Sequence, residues 1–121
     1  MQKFPRTDGV PDFPVLDTGW YSLTINNVEE KKDKNGDVYI NIEFIVGKGE
    51  KRVWDMFYPL KEDRLWKVKN FLKQIDESLT EIEVDPEVLI GKQIVAHIVP
   101  VSSGNKIWEK IKDYAKVDQI N

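Results

Sequence analysis

The chain has 121 residues, enough for one modest hydrophobic core and too few for two. With 40% hydrophobic and 32% charged residues it reads as a folded domain with a densely ionised surface, and its formal net charge of -3 excludes a protein that holds nucleic acid by bulk positive charge alone. It has no cysteine, no apolar run near the roughly 20 residues of a membrane span and no signal-like stretch in residues 1–15, which excludes disulfides, thiolate chemistry and cysteine metal sites and leads to an expectation of a cytoplasmic protein without membrane association.

Residues 1–18 hold Pro5, Pro11, Pro14 and Gly9, a composition that opposes helix and central strand, so an extended N-terminal arm is expected there. From Gly19 the pattern alternates, with Tyr21, Leu23 and Ile25 on one side and Trp20, Ser22, Thr24 and Asn26 on the other, which predicts a first strand. Inward parity must switch for Val28 to join the apolar side, so Asn26-Asn27 reads as a bulge. A polar connection over residues 31–37, with Gly36 expected in a left-handed turn, leads to Val38, Ile40, Ile42, Phe44 and Val46 alternating in a second strand. Gly47-Lys48-Gly49-Glu50 makes a tight hairpin into a third strand over residues 51–58, stopped by Pro59.

Between Glu62 and Ile75 the apolar period becomes helical, with Leu65, Val68, Phe71, Leu72 and Ile75 on one face. An acidic stretch follows, then Asp85 as an N-cap, Pro86 at the first helical position and Gly91 as a terminator, which predicts one extra helical turn. Two more strands, Gln93 to Val101 and Lys106 to about Lys116, are joined through Ser102-Ser103-Gly104-Asn105. Residues 19–117 therefore form one domain, followed by a short C-terminal tail over 118–121.

Three strands, a helix and two strands is the order of an all-β, OB-fold-like five-stranded Greek-key β-barrel with its helix between strands 3 and 4. A bulged first strand suits a small barrel, because that strand pairs in both halves of a closed sheet. An open antiparallel sheet with one helix is the alternative.

Centring the second hairpin on Lys48-Gly49 pairs Phe44 with Val53 and Ile40 with Phe57 on the inner side, a consistent core except for Asp55. The same register sets Tyr39 beside Tyr58, Asn41 beside Met56, Glu43 beside Trp54 and Ile45 beside Arg52 on the outer side. In the last strand Trp108, Lys110, Lys112 and Tyr114 recur every second residue and so are expected on one face. Rings stack unpaired bases and ammonium groups neutralise phosphates, so Tyr39, Arg52, Trp54, Tyr58, Lys106, Trp108, Lys110, Lys112 and Tyr114 are the candidate single-stranded DNA contacts. Lys31, Lys32 and Lys34, in a loop expected to flank the cleft, join them. The competing reading packs the aromatic face under the helix, the arm or a second subunit.

Charge is also segregated along the chain. Lys61, Arg64, Lys67, Lys69 and Lys73 outnumber Glu62 and Asp63, whereas Asp76, Glu77, Glu81, Glu83, Asp85 and Glu87 follow without a base. Enzymatic signals are weak throughout. Asp33 to Asp37 lacks the spacing of a calcium loop, His97 is the only histidine and has no partner at ligand spacing, and no phosphate-binding loop or nucleophile elbow occurs. Glu29-Glu30-Lys31-Lys32 holds the Glu-x-Lys pairs seen in some metal nucleases, but the nearest upstream acids, Asp12 and Asp17, sit in the expected irregular arm, and a solvated loop explains the charges more simply. No catalytic residue, metal or cofactor is expected.

Gly19-Trp20-Tyr21, Val53-Trp54-Asp55 with Phe57, and Asp85-Pro86 leading to Leu89-Ile90-Gly91-Lys92 give residues 15–116 a resemblance to a phage-encoded family of formerly unknown function, regarded as OB-like single-strand binders. The resemblance implies a single-stranded DNA-binding protein of phage replication or recombination, whose partners include replication or recombination proteins. It carries over no binding residues. The end at Val117-Asp118-Gln119-Ile120-Asn121 lacks the acidic tail of bacterial single-strand binders, which puts tail-mediated recruitment in doubt. The alternative function is a protein–protein adaptor or a self-associating homo-oligomer that uses the same aromatic face.

Overall fold

The computed structural model describes residues 1–8 and 15–117. Alternation builds the first strand, β1 (Gly19–Lys32), and buries Leu23 and Ile25. The pleat breaks where expected, because Ile25 pairs with Phe44 and Asn27 with Glu43, leaving Asn26 as the extra residue. That bulge lets β1 serve two partners: Gly19–Thr24 pair with β4 (Gln93–Ser103), and Leu23–Lys32 pair with β2 (Val38–Val46). At the bulge, Ile25 donates to the Lys92 carbonyl and accepts from the Gly91 amide, at 2.9 and 2.8 Å. Gly91 reaches this position with φ 90°, a conformation that favours glycine.

The remaining strands are β3 (Arg52–Phe57) and β5 (Lys106–Ala115), and the single α-helix, α1 (Leu65–Ile75), lies between β3 and β4. The sheet order is β3-β2-β1-β4-β5 with every pairing antiparallel. This is an OB-like all-β fold. Helix α1 lays Val68, Phe71, Leu72 and Ile75 on the sheet. Phe71 stands 4.6 Å from Phe57 and 5.0 Å from Tyr114 between ring centroids, and Phe44 meets it edge-on at 6.1 Å.

Closure of a full barrel does not occur. Strands β3 and β5 are the two edges of the sheet, and side chains join them in place of a backbone ladder. Lys51, just ahead of β3, pairs with Glu109 at 2.6 Å, and the Tyr114 hydroxyl donates to Asp55 at 2.6 Å. Helix α1 takes up edge groups that a ladder would have used, since Lys67 Nζ donates to the Met56 carbonyl at 2.8 Å and to Asp55 at 2.7 Å. The two clasps follow each other in the same direction on both strands, so the edges lie parallel. The step is one residue longer on β5, because His97 pairs with Asp113 and Ile98 with Ile111, which makes Lys112 a bulge.

Several boundaries differ from expectation, among them the end of β4, which runs on through Ser102 and Ser103, paired with Ile107 and Lys106. Lys31 and Lys32 belong to β1, paired with Tyr39 and Val38, so only residues 33–37 form the turn. Cross-strand pairing overrides their polar composition there. The helical region opens with a 3-10 turn over Glu62–Arg64, and Leu65 is exposed rather than packed. A second 3-10 turn, Glu77–Glu81, capped by the Asp76 carboxylate, occupies the acidic stretch. The Asp85-capped turn Pro86–Leu89 forms as expected. Residues 1–8 and 15–18 belong to no helix or strand, and Leu16 ties the arm to the domain by donating its amide to Glu109 at 3.1 Å. The rest of the expected arm (9–14) and the tail (118–121) lie outside the described residues. No helix among the described residues is long and apolar enough to cross a membrane.

Candidate nucleic-acid interface

The β2–β3 register is the expected one, with Asn41 opposite Met56, Glu43 opposite Trp54 and Ile45 opposite Arg52. It leaves Trp54 53% exposed on β3. On the other edge Trp108 pairs with Val101 and is 45% exposed. Between the edges runs an open groove of about 660 Å³, lined by Trp54, Met56 and Tyr58 from one side, Trp108 and Lys110 from the other, and Arg64 and Lys67 from the helical segment.

The carboxylates of this groove are already engaged. Asp55 accepts from Tyr114 and Lys67, and Glu109 accepts from Lys51 and the Leu16 amide. Burial pushes the Tyr114 hydroxyl well above the usual tyrosine range, and the negative charge of Asp55 adds to the shift, so Tyr114 stays a proton donor. Neither Arg64 nor Lys110 forms an ion pair among the described residues. The uncompensated charge of the groove is therefore positive although the chain is acidic.

At one end of the groove Tyr58 is half-buried and partly occupied. Its ring tilts against Tyr39 at 5.7 Å, and the Lys61 and Arg64 cations sit 5.1 and 5.0 Å from its centroid. Its hydroxyl donates to Asp33 at 3.2 Å, and burial followed by that bond raises its pKa. For Asp33, burial pushes the carboxyl up, but donation from the Asp37 and Asn35 amides and from Tyr58, with the Lys61 charge, outweighs it and holds the group below the usual carboxylate value. The β1–β2 turn is thus fastened to the end of β3, with Lys61 paired to Asp37 at 2.9 Å as a further tie. A base approaching Tyr58 competes with cations already in place.

Of the expected contacts, the groove gathers Trp54, Tyr58, Trp108 and Lys110. Tyr114 is a correction: it is 5% exposed, inside the aromatic core, because the Lys112 bulge reverses the parity of every residue after it. Arg52 faces outward, yet its Nε is bound to Glu43 at 3.0 Å and its Nη1 is buried without a partner, so its charge is spent on β2. Tyr39 backs Tyr58 and does not line the groove. Lys31, paired with Glu29 at 3.2 Å, and Lys32, Lys34 and Lys106 do not line it either. Lys112 turns toward α1 in an adjoining depression.

Arg64 and Lys67 were not among the expected contacts. The base-rich run carrying them was visible, but not the fact that α1 lies across the gap between β3 and β5. Trp20, the fourth indole, stacks on His97 at 5.0 Å and 21° as a β1–β4 cross-strand pair away from the groove. Among the described residues no three acidic, histidine or cysteine side chains cluster as a metal site. No protein-family model matches the chain, and no curated protein matches it.

Proposed function

We propose that the protein binds single-stranded DNA with little sequence preference. The observation that supports this is the placement of two half-exposed indoles, Trp54 and Trp108, on facing edges of one open groove whose acids are neutralised and whose unpaired charges are cationic. Every base has a π-face, so indoles stack on any sequence, at about 1–3 kcal/mol per base. Arg64 and Lys110 contact phosphates and release counterions. The Gly-Trp-Tyr, Val-Trp-Asp and Asp-Pro motifs support placing that role in phage replication or recombination.

Oligothymidylate is expected to quench tryptophan fluorescence at low salt, with affinity falling as salt rises. Replacing Trp54 or Trp108 by Ala is expected to weaken binding by about 1–3 kcal/mol each. Wild-type protein that ignores oligonucleotides at low salt ends this reading. If it instead forms a stoichiometric protein complex indifferent to added DNA, the adaptor function replaces it.

A further inference from the structure

A second depression adjoins the groove on the far side of Lys67. It measures about 320 Å³, is lined by Trp66, Asn70, Lys112 and Tyr114, and shares Asp55, Lys67 and Lys110 with the groove. Its most unusual occupant is Trp66. At 72% exposure it is the most open of the four tryptophans, and it stands in the first turn of α1 while the core is filled by Val68, Phe71, Leu72 and Ile75. An indole that contributes so little to the interior leaves a large apolar face in water, beside two ammonium groups, Lys110 and Lys112, that form no ion pair among the described residues.

The bulge that buries Tyr114 also brings Lys112 to the lining of this depression. Lys110 and Lys112 then mark a cationic track leading from Trp108 toward Trp66. The one acid beyond those already neutralised is Asp113, which accepts from the Asn70 amide at 3.2 Å and from the Tyr114 backbone at 2.8 Å. Both bonds fall on Oδ1, so Asp113 keeps its negative charge, and the two free ammonium groups of Lys110 and Lys112 outweigh it in the depression. An exposed ring beside two unpaired lysines, with Asp55 paired to Lys67, resembles the chemistry of the groove, although Asp113 adds one charge that no cation pairs.

We infer that the depression between α1 and β5 extends the strand-binding path, with Trp66 stacking at least one additional base and Lys112 holding the adjoining phosphate. This rests on the single-strand binding proposed for the Trp54–Trp108 groove. A strand leaving the groove passes over the Lys67–Asp55 pair and turns along the helix instead of continuing across β2. The occluded site is accordingly longer than the sheet surface alone provides.

The test is a length series of oligothymidylates from about 4 to about 16 nucleotides, the range that OB folds occupy. Trp66→Ala is expected to match wild type on the shortest oligonucleotides that bind and to be about tenfold weaker on the longest, whereas Trp54→Ala is weaker at every length. Trp66→Phe, which keeps a stacking face, is expected to restore most of the long-oligonucleotide affinity, and Lys112→Ala to lower the salt dependence only for long ones. Because Trp66 is exposed, its truncation spares the fold. Trp66→Ala binding like wild type at all lengths, or equally weakened at all lengths, overturns the extension while leaving the groove intact. A wild-type protein that binds no oligonucleotide overturns both.

Discussion

Because side chains alone join β3 to β5, Tyr114→Phe isolates one of the two clasps. The substitution keeps the ring in place, 5.0 Å from Phe71 and 6.2 Å from both Phe44 and Phe57, and deletes only the hydroxyl that donates to Asp55. Asp55 retains Lys67 but loses a short bond, and a hydrogen bond to a charged acceptor contributes about 1.5–3 kcal/mol. With an unfolding entropy of about 2.1 cal/mol/K per residue, the melting temperature is expected to fall by about 6–12 °C. The pH dependence has a definite sign. Burial and the Asp55 charge raise the Tyr114 pKa above the unfolded value of about 10, so above that pH the unfolded chain releases a proton that the folded one retains. Stability is fully present below pH 10 or so and declines above it, and Tyr114→Phe removes Tyr114's share of that decline. Tyr58, whose pKa is also raised, contributes equally in both proteins and cancels in the comparison. Thermal melts by circular dichroism at about pH 8 and at steps up to about pH 11 measure both effects. A variant melting within about 1 °C of wild type at the lower pH, with an unchanged alkaline limb, would show that the clasp does not hold the edges together.

Lys110→Ala is expected to weaken oligonucleotide binding alike for all sequences and to reduce the slope of log affinity against log salt by about 0.7, while Lys34→Ala and Lys106→Ala, outside the groove, leave the slope unchanged. Fluorescence titrations at several salt concentrations check this, and equal losses from all three lysines would contradict a localised path. Phe71→Ala removes the ring on which Phe44, Phe57 and Tyr114 converge, and is expected to cost about 3–5 kcal/mol, a large part of the stability of such a domain. In urea it appears as a lower midpoint with an unchanged m-value.

The parts legible in the sequence were those fixed by local periodicity. The β2–β3 register could be read because two alternating segments meet at a short hairpin, and a slip by one residue would have turned Phe44 and Val53 outward. The Asn26 bulge showed as a break in parity, and the Asp85-Pro86 turn as cap chemistry. Tyr114 was misplaced because a spacing of two assumes an unbroken pleat, and the bulge at Lys112 is set by pairing to β4, not by residues nearby in sequence. Asp55 was the trace of what could not be seen. An acid on the inner side of β3 requires a donor, and its donors come from α1 and from β5, the latter 59 residues away. Whether the sheet closes was open between two readings, and the Lys67 bond to the Met56 carbonyl on the free edge of β3 had no signal in the periodicity.

The same clasps account for how an acidic chain can present a cationic groove. A hydrogen-bonded ladder would draw β3 and β5 to about 4.8 Å and leave no gap between Trp54 and Trp108. Side-chain clasps keep the edges apart, and the acids they consume, Asp55 and Glu109, are the ones that would otherwise repel phosphate in that gap. Other acids of the chain gather elsewhere. Glu29, Glu30, Asp85 and Glu87 line a separate cleft of about 180 Å³ that shares no residue with the groove. On the proposed reading, a polyanion is repelled from one surface and admitted at another, and net charge says little about where it docks. Local pairing decides that.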